Sequence, residues 1–449
     1  MKSTRWVAVA AAVVLTAGLA ACSSSDDSAG GNATVNWWTW DPVQAEAYQQ
    51  CVPDFQAQNP GVEVKISQYS TDDYFTKLTA GFVGGNAPDG FMNSVQYFPS
   101  YVDQGQLEPL DDHVAKDGFD LKGITIGTDA WKGKDGKLYG LPMDWATSGI
   151  YYNKALLAKA GITEAQVQSM TFDPSDGGTA EKIAAHLTVD RNGVRGDAPG
   201  FDKEHVAVYG IGMLAANDFR GQTSWFPFAA ATGWTMAEPE SWPTQFQYSD
   251  PRFVSTMRWV TSMVAKGYSP KLGTFTVSDS EQLGSGKVAM TVGGSWEAAT
   301  FAKLPGLKTG IAPSPLGKDG KTRGAFGNAN GNVVWAKGKN KEATWKWIAY
   351  QESEACQTKA AAYNASFFPS NGKAMDALTA SEQAKGVDLS VFTAMEKAGQ
   401  IQLSKPFSNG TAVESTLKPL FESYFTSNAG DDFWTKVTDK TKETLAAQG

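Results

Sequence analysis

Histidine and cysteine are scarce, with three of each in 449 residues. That excludes zinc modules and other His/Cys metal centres, which need three or four such ligands at short spacing. Charge is thin too: 19% of residues are charged, and the balance is acidic, with a formal net charge of −8. No basic block offsets it, so nucleic acid is not an expected partner. The chain has no Gly-rich phosphate loop and no internal repeat. Beyond its N-terminus it has no apolar run of about eighteen residues, the length a membrane span needs. What it has in surplus is aromatic surface, with 15 Trp among a 12% aromatic fraction. A 42% hydrophobic content excludes disorder, and the length suits two or three cored domains.

The N-terminus reads as an address. Lys2 and Arg5 precede an apolar stretch, Trp6 to Ala21, without an ionisable group. It ends in Leu19-Ala20-Ala21-Cys22, with small residues ahead of a cleavage point. A Cys in that place resembles the lipobox of bacterial lipoproteins. The resemblance implies a signal peptide at 1–21 and lipidation of Cys22; an ordinary secretory signal is the alternative. Residues 22–32, rich in Ser, Asp and Gly, form a flexible tether. The expected location is extracytoplasmic, with membrane contact through the lipid anchor only. In that oxidising compartment Cys51 and Cys356 are expected to form a disulfide; two buried free thiols are the other reading.

The body opens with strand, helix, strand, helix, strand. Thr34–Trp40 is a strand, and a helix with a kink at Pro53 runs to about Asn59. Val62–Ser67 alternates as a second strand, a helix follows Thr71-Asp72-Asp73, and Gly90–Ser94 is the third strand. This alternation predicts an α/β fold with a mainly parallel sheet, whose ligands bind beyond the carboxyl ends of the strands. Those ends carry Trp40-Asp41, Gln68-Tyr69-Ser70 and Asn93 to Tyr97. The set is rings, neutral amides, hydroxyls and one carboxylate, with no general base beside a nucleophile. No catalytic residue and no cofactor is therefore expected. Asp190-Arg191-Asn192-Gly193 with Asp197 has part of a calcium-loop spacing, but it lacks the closing Glu, and a Gly hairpin accounts for it.

Further motifs carry a resemblance. They are Asn59-Pro60-Gly61-Val62-Glu63-Val64, Ala87-Pro88-Asp89, Gly136 to Pro142, Ile150-Tyr151-Tyr152-Asn153-Lys154, Gly286 to Met290 with Gly294-Ser295-Trp296, and Lys339 to Lys346. In this order the chain resembles the extracellular solute-binding proteins of ABC sugar importers, the family that includes maltose-binding protein. It departs from the pattern at Gly90, at Leu283, and at Lys405-Pro406-Phe407, where no Trp stands. The last departure argues against a maltodextrin ligand. The resemblance implies two lobes, each an open, mainly parallel sheet flanked by helices, joined by hinge strands. It places 33–145 plus 325–403 in an N-lobe and 146–324 plus 404–449 in a C-lobe. It also implies a monomer that captures a neutral sugar or short oligosaccharide between the lobes and delivers it to the transmembrane subunits of an ABC permease.

A sugar needs rings to stack on its C–H faces and planar polar groups to match its hydroxyls. The candidates are Trp40, Asp41, Asn93, Ser94, Gln96 and Asp144 in one half, with Trp225, Trp296, Glu297, Asn328 and Asn330 in the rest; Arg220 and Gln222 are weaker. Trp296 is the first choice for a stacking ring. The bland readings are core packing for the indoles, helix or hinge capping for Asp41 and Asp144, and polar turns for the amides. A secreted glycosidase, the rival from another class, would need two opposed carboxylates, and nothing sets two of them apart. A polyamine site would need several acids in the cleft.

Overall fold

The computed structural model describes residues 32–427, 429–430 and 432–447. The expected signal peptide at 1–21, Cys22 and the tether to residue 31 lie outside the described residues. Strand Ala33–Thr39 pairs in parallel with Val62–Gln68 and with Gly90–Ser94. Val35, Trp37 and Thr39 are buried and their neighbours are not, the period of two that covers one face. The first helix is in fact two, Pro42–Gln49 and Val52–Gln58. Pro53 lacks an N–H to continue the first and sits in the opening turn of the second, where none is needed. Ser70 caps helix Thr71–Gly84, accepting from the Asp73 N–H at 3.3 Å.

Strand Leu141–Asn153 runs thirteen residues and is buried throughout. Its partner Ala325–Val334 lies antiparallel to it and to Gly90–Ser94, as a strand returning from the second half must. In that half, Met290–Gly294 and Thr309–Ala312 also pair antiparallel with Leu141–Asn153. Parallel pairing recurs between Ile401–Leu403 and Ala325–Val334.

Two large cores flank these crossing strands. One gathers Val35, Trp37, Phe55, Phe91 and Trp131 with Trp345 and Trp347. The other gathers Trp225, Trp234, Phe253, Phe421 and Trp434. A third, smaller core joins Tyr151, Leu283 and Phe301 to Phe368, Met375 and Phe392. Helices Gly372–Ala384 and Ser390–Lys397 therefore share their packing with the strands beyond the hinge. Cys51 and Cys356 are bonded, with S–S 2.01 Å and Cα atoms 5.5 Å apart, in the first core. Among the described residues, no helix is long and apolar enough to cross a membrane.

Candidate functional site

The hinge pair sets the geometry. Asn330 lies opposite both Asp144 and Ser94, and Asn328 lies opposite Ala146. A register slip follows Asn330, at Gly331. A Cβ on Gly331 would sit 2.4 Å from the Trp131 ring, so only glycine lets the strand cross that indole. Ser148 faces Gly294, and the Thr147 N–H donates to Ser295 Oγ at 3.2 Å. The strand end that carries Trp296 is thus fastened within a few residues of Asn328.

Asp144 is 3% exposed. Its Oδ1 accepts from the Asn330 N–H and from Asn330 Nδ2, both at 3.1 Å, and the Gln44 amide donates to Oδ2. Burial pushes its pKa up to about 6 against those hydrogen bonds, with Asp41 adding to the rise. The carboxylate is occupied by protein amides and braces the hinge from behind. Behind it lies a second buried acid, Glu352, which accepts from Asn332 Nδ2 at 2.7 Å and from the Gln357 amide. Burial raises its pKa well above the ordinary carboxylate value.

On the first-lobe rim, Trp40 is half-buried, edge-on to Tyr74 at 5.2 Å and tilted to Phe75 at 5.4 Å. Phe75 stacks on Tyr97 at 3.8 Å. This run of rings includes Phe75, inside the helix Thr71–Gly84, which the sequence reading missed, and Tyr97, which it placed at a strand end without making it a candidate. Asp41 Oδ1 caps its helix, accepting from the Val43 and Gln44 N–H groups at 2.8 and 2.9 Å. Asn93 is fully buried, its Oδ1 accepts from the Ser94 N–H at 2.9 Å, and its Nδ2 has no partner among the described residues. Ser94 and Gln96 are half-buried, and Ser94 Oγ accepts from the Gln96 N–H at 3.3 Å. The Gln96 amide reaches Glu414, on the helix Gly410–Thr426 of the other half.

Trp225 leaves the set. It is 0% exposed, stacked against Phe421 at 5.7 Å and edge-on to Phe253 at 5.2 Å, so both faces are core. Trp296 does not share that fate. It is half-buried and folded back over Gly294, where a Cβ would come within 2.3 Å of the indole. Glu297 accepts from the Gly294 N–H at 3.2 Å, and burial followed by Asp279 raises its pKa. Asn328 is exposed and accepts from Gln222 Nε2 at 3.2 Å, which brings Gln222 to the hinge.

Asn328 and Gln222 meet at the strand crossing, Ser295, next to Trp296, is tied to Thr147, and Trp40, Asp41, Ser94 and Gln96 lie at strand ends of the first half. Asp144, Asn330 and Asn93 stand behind them. Asp190 spends its carboxylate on the N–H groups of Asn192, Val194 and Asp202, and Asp197 bonds His186 at 2.7 Å. Among the described residues no group of three or more His, Cys, Asp and Glu could hold a metal ion.

The family model described as bacterial extracellular solute-binding protein matches residues 40–358. A maltodextrin-binding protein of Bacillus subtilis (strain 168) is 26% identical over 352 residues, covering 78% of this chain and 76% of its own length. A putative binding protein of Brucella abortus (strain 2308) is 24% identical over 391 residues, covering 85% of each. Among solved structures, Mycobacterium tuberculosis UspC superposes with a TM-score of 0.75 at 24% identity, over 92% of this chain and all of that one. The sugar-binding protein MalE of Xanthomonas citri gives 0.73 at 20% identity, over 92% of this chain and 97% of its own.

Proposed function

The chain belongs to the bacterial extracellular solute-binding protein family, and from that premise we propose that it captures a neutral sugar or short oligosaccharide in the hinge cleft. The observations that support this reading are the half-buried indole of Trp296, at a strand end tied to Thr147 through Ser295, and the exposed Asn328 amide on the strand opposite Ala146. A flat apolar face next to a planar polar group matches one face and one edge of a pyranose. The rim rings and the Gln96 amide supply the opposing wall. A ligand held by both lobes favours the shut form, because some of its contacts exist only there. The shut form then presents the sugar to the transmembrane subunits of an ABC permease, the partner that the family implies. The relatives that bind maltodextrin and other sugars support the substrate class.

The lobes we propose follow the cores. One comprises about 33–143 with 331–360, the other about 150–324 with 372–447. Phe368-Pro369, paired with Trp145 and Asp144, makes a third crossing. This moves 372–403 out of the N-lobe. We also propose a monomer, lipid-anchored at Cys22 outside the cell membrane, with no catalytic step. Asp144 is sealed, Asp41 caps a helix and Glu297 accepts from the Gly294 N–H, so that among the described residues no two of these three stand apart as an acid and base pair.

Native mass spectrometry of protein purified from rich medium, followed by a thermal-shift panel of mono- and oligosaccharides, tests the reading. A co-purifying sugar that stabilises the fold and is recovered uncut is the expected result. Cleaved products would make the protein an enzyme.

A further inference from the structure

One segment of the second lobe reaches into the first. The stretch from Ala237 to Phe246 is closed at its base by a bridge between those two residues, and both lie in the second core. The Phe246 N–H donates to Thr441 Oγ1 at 3.0 Å, and the Gln247 N–H donates to the Met236 carbonyl at 2.8 Å. The base therefore moves with the second lobe. The far end carries Trp242, which is half-buried and packs against the first core. Lys134 Nζ stands over its ring, 4.9 Å from the centroid. Lys134 belongs to the turn at Gly133–Gly136 in the first lobe, where Asp103 holds its ammonium at 3.3 Å. The lobes also touch at the rim: a Cβ on Gly410 would lie 2.5 Å from the Gln96 carbonyl oxygen.

The backbone at Trp242 bears on what this contact does. Its φ is 54°, in the left-handed region that favours glycine. A bulky residue keeps such an angle only where its surroundings hold it there. On its own lobe Trp242 has one tie, its N–H donating to the Pro406 carbonyl at 2.8 Å. The rest of the hold, the first core and the Lys134 ammonium, comes from the other lobe. If the lobes parted, the indole would lose its apolar seat and its cation together. The strained angle is thus matched to the arrangement in which the lobes meet.

We propose that Trp242 is a clasp between the lobes: seated on the first core and under the Lys134 ammonium, it keeps the sugar-free protein shut, and a sugar enters or leaves only when the clasp lets go. Neither residue is a candidate sugar contact, so the clasp acts through the position of the lobes. Its loss shifts the ratio of shut to open forms by roughly tenfold, the scale of one cation–π contact with its packing. The proposal rests on the receptor reading above and supplies the regulation of that site.

The test is small-angle X-ray scattering from the sugar-free protein. Wild type should show the radius of gyration of the arrangement described above. Trp242→Ala should raise that radius while the melting midpoint stays within a few degrees, Lys134→Gln should raise it less, and Trp242→Phe should stay near wild type. The Trp242→Ala, Lys134→Gln double variant should be no wider than Trp242→Ala alone, because the two side chains make one contact. Lys134 is exposed on a turn, so Lys134→Gln carries the test where Trp242→Ala misfolds. A wild type already wider than the structure, or both single variants scattering as wild type, overturns the clasp. Widening that adds in full in the double variant overturns the pairing of Trp242 with Lys134. Each saccharide that stabilises wild type in the thermal-shift panel should leave Trp242→Ala at least about threefold faster by stopped flow. Unchanged release overturns the clasp and spares the receptor reading. Widening by scattering with no saccharide bound from the panel upholds the contact between the lobes and overturns the receptor reading.

Discussion

Asn328 and Asn330 stand two residues apart on one strand and meet opposite environments. Asn330 turns its amide onto buried Asp144 and is spent on the hinge. Asn328 is exposed, and its side-chain oxygen accepts from Gln222. The two indoles of the second half repeat the contrast. Trp225 is sealed among phenyl rings and holds a core together, whereas Trp296 lies half-open at a strand end. Residue type therefore does not decide function at this hinge. A polar or aromatic group is available to a guest only where the fold has left it an unmatched face, and the sealed members keep the open ones in place.

The sharpest way to break the contrast is to delete the sealed indole. Trp225→Ala should lower folding stability by about 3–5 kcal/mol, as large-to-small core changes do, read by denaturant unfolding. A loss under about 1 kcal/mol would mean that the ring is not core.

A second effect reads the sealed carboxylate. The folded pKa of Asp144 is raised to about 6 from an ordinary 3.8, so the native state holds that proton more tightly than the unfolded chain. Its favourable contribution is complete below about pH 4 and is lost as the pH rises through about 6. The swing is at most about 3 kcal/mol over that window, and Asp144→Asn should flatten that part of the pH–stability curve. An unchanged slope in the variant would place the titration elsewhere.

On the open side, Trp296→Ala should weaken sugar binding by roughly tenfold or more, while the unliganded melting temperature stays within a few degrees. Asn328→Ala should cost less, roughly threefold to tenfold in Kd by calorimetry, the worth of one neutral hydrogen bond. If Asn328→Ala instead unfolds the hinge and Trp296→Ala leaves affinity intact, the open and sealed assignments are reversed.

Local patterns were legible because they depend on neighbours in the chain. The strand Gly90–Ser94, the helix stop at Asn59-Pro60-Gly61 and the alternation of Val62–Gln68 follow from side-chain period and turn chemistry. Compartment and thiol count left Cys51 and Cys356 either paired or free, and the structure pairs them. What stayed hidden depends on distant partners. Asp144 is sealed by Gln44, a hundred residues before it, and by Asn330, 186 after it. Trp225 is closed in by Phe421 and Phe253, and no pattern around Phe226–Ala231 announces either. The helices at 372–384 and 390–397 were not read at all, because the second is only eight residues long and their packing partners lie across the hinge. The stack of Phe75 on Tyr97 joins a helix to a loop and had no signature in either.

The most direct test of the account is a crystal structure of the protein with the saccharide that co-purifies with it. The account predicts an intact sugar between the lobes, one ring face on Trp296 and a hydroxyl on the Asn328 amide. A saccharide bound outside the hinge cleft, or density for a cleaved product, would contradict it.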